Sequence, residues 1–170
     1  MDLVLMPTTE RHMHLVCSLF ADMKDALARK ELLPLQENSA LLYEGSLRDN
    51  MCGILLNAAK LNTIDWDLDF VYPDFMIFKD NSYVRNEKRT KFIGQPDLIV
   101  EVWSDHNTEL DRNLKFNLYS SSPVTEHWYI KQDSNKVVCW LGSLKLESQT
   151  LDSLLYSQKG LVFDLRYLAL

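Results

Sequence analysis

The sequence predicts an α/β domain in the broad sense, α+β with a central mixed sheet. Three observations carry this. A run at helical spacing opens the chain, a second one spans about residues 108–120, and apolar stretches rich in β-branched and aromatic residues lie between and after them. Helix, several strands, helix, strands is the order of a sheet covered by helices. The chain's 170 residues fit a single domain, 1–170, with a sizeable core, and no Gly-, Pro- or Ser-rich linker divides it.

Leu3 to Met6 is a short apolar strand candidate stopped by Pro7. Thr8 and Thr9 offer capping hydroxyls, and Val16, Leu19, Phe20, Met23 and Leu27 then recur at helical spacing up to Leu33, before Pro34. Ser39 to Glu44 and Gly53 to Ala58 read as strands, with a turn at Arg48-Asp49-Asn50. Asp65 to Asp69 reads as a loop or an alternating edge segment. Phe70 to Phe78 is apolar and aromatic enough for a strand, and the polar, basic run Asn81 to Lys91 reads as a hairpin loop or flap. Leu98 to Trp103 is the next strand. A helix follows from about Thr108, which stands three residues before Asp111 as in a capping box, to Ser120, and Pro123 breaks it. Trp128 to Lys131 and Val137 to Leu141 pair around Asp133-Ser134-Asn135. The last thirty residues read as a hairpin and a terminal segment.

Hydrophobic residues make up 46% and charged residues 25%, as in ordinary soluble domains. Three cysteines, far apart and without CxxC spacing, suggest neither a disulfide framework nor a zinc site and fit a reducing compartment. No apolar run is long enough for a membrane span, and the N-terminus lacks a signal-peptide pattern, so a cytoplasmic protein is expected. A net charge of −6 argues against nonspecific coating of nucleic acid, which rests on Lys and Arg neutralising phosphates. It leaves a nuclease open, because a metal site needs local carboxylates.

The run GQPDLIVEVWS, residues 94–104, is a buried strand with two acids in it. Side chains alternate, so Asp97, Ile99, Glu101 and Trp103 share one face. Asp97 and Glu101 then stand about 13 Å apart, too far to chelate one ion. A partner for Glu101 must come from elsewhere, and Asp74 in the neighbouring strand FVYPDFMIF is the best placed, since adjacent strands lie about 4.8 Å apart. Two carboxylates of this kind suit Mg²⁺ or Mn²⁺. The alternatives are plain ones: Glu101 on an edge or paired with a base, Asp74 starting a turn, and Asp97 anchoring the strand start through backbone amides. Asp111, Lys115 and Tyr119 recur every fourth residue on one helix face. Lys115 either forms a surface pair with Asp111 or reaches back to the carboxylates. His12 and His14 point to different sides of their helix, a poor metal pair. The motifs GxxxxGKS/T, GxGxxG and GxSxG are absent.

The segments YPDFMIF, GQPDLIVEVWS, DRNLKFNLY and VTEHWYI, in that order and spacing, resemble the Uma-type putative restriction endonucleases. This bacterial family, long a domain of unknown function, belongs to the PD-(D/E)XK nuclease superfamily. The resemblance is densest from Tyr72 to Lys131 and extends weakly to MDLVLMPTTERH, where His12 matches a family histidine. It implies a restriction-endonuclease-like core, a central mixed sheet with helices on both sides, and metal-dependent hydrolysis of DNA. Asp74 and Glu101 would be the acidic ligands of Mg²⁺ or Mn²⁺, helped by a backbone carbonyl near Val102. The superfamily's usual lysine position, two residues after the Glu, is Trp103. The resemblance gives that role to Lys115, as in branches whose lysine has moved to the following helix. Asp97, Asp111, Tyr119 and His12 take supporting places, and Glu126 and Trp128 structural ones. Relative to the family pattern, a segment with a glutamate ahead of the first strand is absent, and His127 replaces a tyrosine. The other expectations left open are a catalytically inactive module of the same fold that binds nucleic acid or protein, and a phosphoesterase for small nucleotides. A homodimer is expected by analogy with nucleases that cut both strands.

Overall fold

The computed structural model describes residues 12, 14–18, 21, 41–44, 53–55, 71–78, 83–85, 91–103 and 107–169. The expected strand Leu3–Met6, the Arg48-Asp49-Asn50 turn, the segment Asp65–Asp69 and the end of the first helix at Pro34 lie outside them. So does His106.

The described strands run β1 (Leu41–Glu44), β2 (Gly53–Leu55), β3 (Phe75–Phe78), β4 (Tyr83–Arg85), β5 (Lys91–Gly94) and β6 (Leu98–Trp103). The helical residues 14–18 form α1, and Glu109–Ser120 forms α2. Then come β7 (Glu126–Lys131), β8 (Lys136–Leu141), β9 (Leu144–Lys145), β10 (Gln149–Thr150), β11 (Leu154–Tyr156) and β12 (Val162–Asp164). The large sheet has the order β1-β3-β6-β7-β8-β10, with β9 also on β8. Among its pairs β6 and β7 are parallel, and β3–β6 and β7–β8 are antiparallel, so the sheet is mixed as expected. A parallel pair needs a crossover, and α2 supplies it between β6 and β7.

Alternation along β6 sorts the core into two layers. Leu98, Val100 and Val102 join Phe75, Ile77, Trp128 and Ile130 on the face that Leu15 and Val16 of α1 cover. Ile99 and Trp103 join Met76, Phe78 and Tyr129 on the face that Phe116, Leu118 and Tyr119 of α2 cover. Helices therefore flank both sides of the sheet. Glu101 has the parity of Ile99 and Trp103, so the strand period alone turns it toward α2.

Two strand readings need correction. The run Asn81–Lys91 is not simply a loop: Tyr83–Arg85 forms β4, and Lys91 opens β5, in a small sheet of order β2-β5-β4. Ladder hydrogen bonds come from the backbone, which a polar side-chain pattern does not reveal. The strand in FVYPDFMIF begins only at Phe75, because Pro73 has no N–H for a ladder and Asp74 is in a bend.

Sharp local signals set the remaining turns. Asn135 adopts φ 54° in the β7–β8 loop, a left-handed conformation that Asn tolerates. Gly142 sits at φ 54° in the two-residue β8–β9 turn. An added Cβ there would lie 2.8 Å from Pro123 Cα. Gly142 also holds two contacts, its N–H donating to Thr125 O at 2.9 Å and its carbonyl accepting from His127 Nε2 at 2.8 Å. On the α1 side of the sheet, Glu126 Oε1 accepts from the buried Trp128 Nε1 at 2.7 Å and Oε2 from Gln158 N at 2.7 Å, tying β7 to the β11–β12 turn. We expect Gly142→Ala to destabilise the fold by about 1–3 kcal/mol in urea unfolding, through the positive φ and the crowding on Pro123. An unchanged midpoint would contradict this packing.

Candidate active site

Pro73 and Asp74 end one ladder and begin the site. The β3–β6 register runs Ile77↔Leu98, Met76↔Ile99, Phe75↔Val100. Carried two residues further it sets Pro73 opposite Val102, and proline has no N–H to donate to the Val102 carbonyl. The ladder stops there, and Val102 N donates instead to Asp74 Oδ2 at 2.7 Å. In a strand, the N–H and C=O of one residue leave on the same edge. The Val102 carbonyl is thus directed to the side of β6 on which Asp74 stands. On that carboxylate oxygen His12 Nε2 also closes, at 3.4 Å.

Glu101 is held from α2. Lys115 Nζ lies 3.0 Å from its Oε1 and 3.1 Å from its Oε2, so one ammonium spans both oxygens. Tyr119, one turn further on, donates its hydroxyl to Oε1 at 2.6 Å. Lys115 also donates to the Tyr72 carbonyl at 3.3 Å, which ties α2 to the segment before β3. The helix has this phase because Thr108 fixes its start, accepting from Asp111 N at 3.1 Å. From that start, Lys115 and Tyr119 fall on the sheet side.

The carboxylates are buried, Asp74 at 5% and Glu101 at 3% exposure. Burial acts on both in the same sense, and their proton affinities separate because their partners differ. Burial pushes Glu101 up to about 7, with the Asp74 charge adding to it, although Lys115 and the Tyr119 hydroxyl pull the other way. Burial pushes Asp74 up too, but hydrogen bonding and charge from His12, Lys115 and Val102 N outweigh it and hold it below the usual range. Burial would lower Lys115, yet the Glu101 and Asp74 charges and the hydrogen bond to Glu101 together outweigh it and raise the amine. His12 is raised in the same way by Asp74, against burial. Two carboxylates of different acidity beside one ammonium form a constellation suited to general acid–base or cation chemistry.

The structure thus brings together Asp74, Glu101, Lys115, Tyr119, His12 and the Val102 backbone. It leaves two residues elsewhere. Asp97 serves β6 through its backbone, its N–H donating to Ile77 O at 2.8 Å and its carbonyl accepting from Glu126 N at 3.1 Å. Asp111 belongs to the start of α2, where its Oδ2 accepts from Asn107 Nδ2 at 3.4 Å. His14 is exposed. His127 is buried and structural: the Gly142 carbonyl can only accept, so Nε2 carries the proton, and Nδ1 accepts from Tyr129 OH at 2.7 Å. Burial lowers its pKa, consistent with a neutral ring. Sequence reasoning passed over the Tyr72 carbonyl, which no side-chain pattern exposes. It also passed over Arg112, whose guanidinium lies 5.0 Å from the Trp103 ring centre.

As to a metal, the residue types present fit a hard divalent cation: a carboxylate just before β3, another on β6, and the Val102 carbonyl on the Asp74 side of β6. Among the described residues no group of three or more His, Cys, Asp and Glu side chains is arranged to hold one, so the backbone oxygen matters to the fit.

A mixed sheet with helices on both faces, one buried acid on β6 and another just before β3, is the arrangement of a nuclease-like α+β domain. The family described as Uma2, putative restriction endonuclease, matches residues 36–165, and the chain belongs to it. Among solved structures, a putative nuclease belonging to DUF820 from Anabaena variabilis is similar, with a TM-score of 0.65 at 13% identity, over 97% of this chain and 86% of that one. That likeness shows the fold. No curated protein matches. Among the described residues no helix is long and apolar enough to cross a membrane.

The linkage between the two carboxylates has a direct readout. Asp74→Asn removes a neighbouring negative charge, so the Glu101 carboxyl titrates lower than in the wild type. Tyr119→Phe removes a donor to the ionised form, so it titrates higher. A ¹³C NMR titration of the Glu101 carboxyl carbon measures both, and two shifts in one direction would contradict the geometry.

Proposed function

We propose that this protein is a metal-dependent endonuclease that hydrolyses DNA phosphodiester bonds. The observation that carries the reading is Asp74 bonded to Val102 N, the residue after Glu101 on β6, with Lys115 of α2 laid against Glu101. Asp74, Glu101 and the Val102 carbonyl would hold Mg²⁺ or Mn²⁺. Such an ion, when bound, polarises the phosphate and makes a bound water acidic.

The chain's own residues do the rest. His12 and Val102 N hold Asp74 ionised and oriented. Tyr119 fixes the Glu101 carboxylate in one rotamer. Lys115 pairs with Glu101 and, with substrate bound, turns its ammonium to charge developing on the phosphate or to the attacking water. The Trp103 ring fills the strand position where the superfamily usually carries its lysine. We read the protein as cytoplasmic and as a homodimer when it cuts both strands.

A second reading, an inactive module that binds nucleic acid or protein, draws on one observation. Lys115 spans both oxygens of Glu101, the place a cation would take.

Cleavage of supercoiled, linear and single-stranded DNA with Mg²⁺ or Mn²⁺ separates the two. The nuclease reading expects wild-type cleavage and a loss of roughly 10²-fold or more in Asp74→Asn, Glu101→Gln and Lys115→Ala. Equal rates in wild type and variants, or no cleavage of any form, would sink it. The rate should also rise with pH through about 7, because Glu101 must lose its proton to ligate a cation and its pKa is raised to that value. A rate that falls across that range would speak against Glu101 as a ligand.

A further inference from the structure

Trp103 is two residues beyond Glu101 on the same strand face, roughly 6.6 Å further along β6. Arg112 is three residues before Lys115 on α2, hence on the neighbouring turn of the same face. The two elements therefore form two rungs. On one rung Lys115 lies against Glu101, and on the next Arg112 lies over Trp103. The Trp103 ring is itself packed on Tyr129, with centroids 4.4 Å apart, so it is a fixed platform. Both Trp103 and Arg112 are half-buried, keeping part of their surface in solvent.

A guanidinium held on an indole is ordered before any ligand arrives, and its planar fork suits a phosphate. The N-terminus of α2 does not supply that function, since Glu109 and Asp111 occupy its first turn. The chain carries a net charge of −6, so contact with a polyanion has to rest on individually placed cations.

We propose that Arg112, positioned by Trp103, binds the backbone phosphate next to the one that reacts at Glu101. This rests on the nuclease reading and deepens it: Trp103 takes the place of a strand lysine and, in doing so, mounts a second cation for the nucleic-acid backbone. Arg112 is then a substrate-binding residue, and Trp103 a positioning residue.

The test is the salt dependence of binding. Labelled single-stranded and duplex DNA are titrated in Ca²⁺ from about 50 to 200 mM salt with wild type, Arg112→Gln and Arg112→Lys. Loss of one phosphate contact lowers the slope of log K against log salt by about 0.7 on single strands or about 0.9 on duplex. Arg112→Gln should show that drop, and Arg112→Lys, which keeps the charge, should keep the wild-type slope. An unchanged slope in Arg112→Gln while wild type still binds and cleaves DNA overturns the role of Arg112 and leaves the nuclease reading standing. A slope lost equally in Arg112→Lys shows damage to the fold and overturns it too. Wild type that binds neither DNA overturns both.

Discussion

Everything in the site depends on how one buried charge is compensated. Glu101 sits in the middle of β6 with apolar residues on either side, at 3% exposure. Removing a carboxylate from water costs several kcal/mol unless partners replace the lost hydration. The partners come from α2, and only from a helix in the right phase. Lys115 and Tyr119, four residues apart, reach the same carboxylate. The β6–α2–β7 crossover thus does two jobs. It makes β6 and β7 parallel, and it lays a cation and a hydroxyl against Glu101 of β6. Even so, burial leaves Glu101 near 7, so the group is held close to changing its protonation state.

The second acid arises from a different device. A proline, with no N–H for the Val102 carbonyl, ends the β3–β6 ladder, and the next residue's carboxylate accepts from Val102 N. Asp74 is thereby fixed at the strand margin beside Val102. Termination of a sheet ladder and construction of an acidic pair are the same event in the chain. His12 comes to Asp74 from the N-terminal helix. The site joins segments far apart in sequence, as expected when a rigid sheet presents side chains from several elements.

Much of this was legible beforehand, for identifiable reasons. β6 matched its predicted ends, Leu98 and Trp103, because both of its faces are buried and Pro96 stands just before it. The helix was bounded by Thr108 and Pro123, and Thr108 does cap it. Family membership was legible in four short motifs whose order matters more than any one of them. What spacing alone left open was the partner of Lys115. Asp111 and Glu101 both suited it until the helix start fixed which side of α2 faces the sheet. The small strand β4 and the first residue of β5 were hidden in a polar, basic stretch, since backbone pairing leaves no side-chain signature there. Asp97, given a supporting place, ties the strand start to its neighbours with its backbone N–H and carbonyl. The Arg112–Trp103 contact joins residues nine apart across a loop, a separation no periodicity marks.

We propose that Asp74 and Glu101 together hold one divalent cation. Calorimetric titration of the metal-free protein with Mn²⁺ at pH 8 tests it most directly. Wild type should take up one ion per chain, and Asp74→Asn and Glu101→Gln should each weaken binding at least about tenfold. Equal Mn²⁺ affinity in all three proteins, or none in the wild type, would contradict the claim.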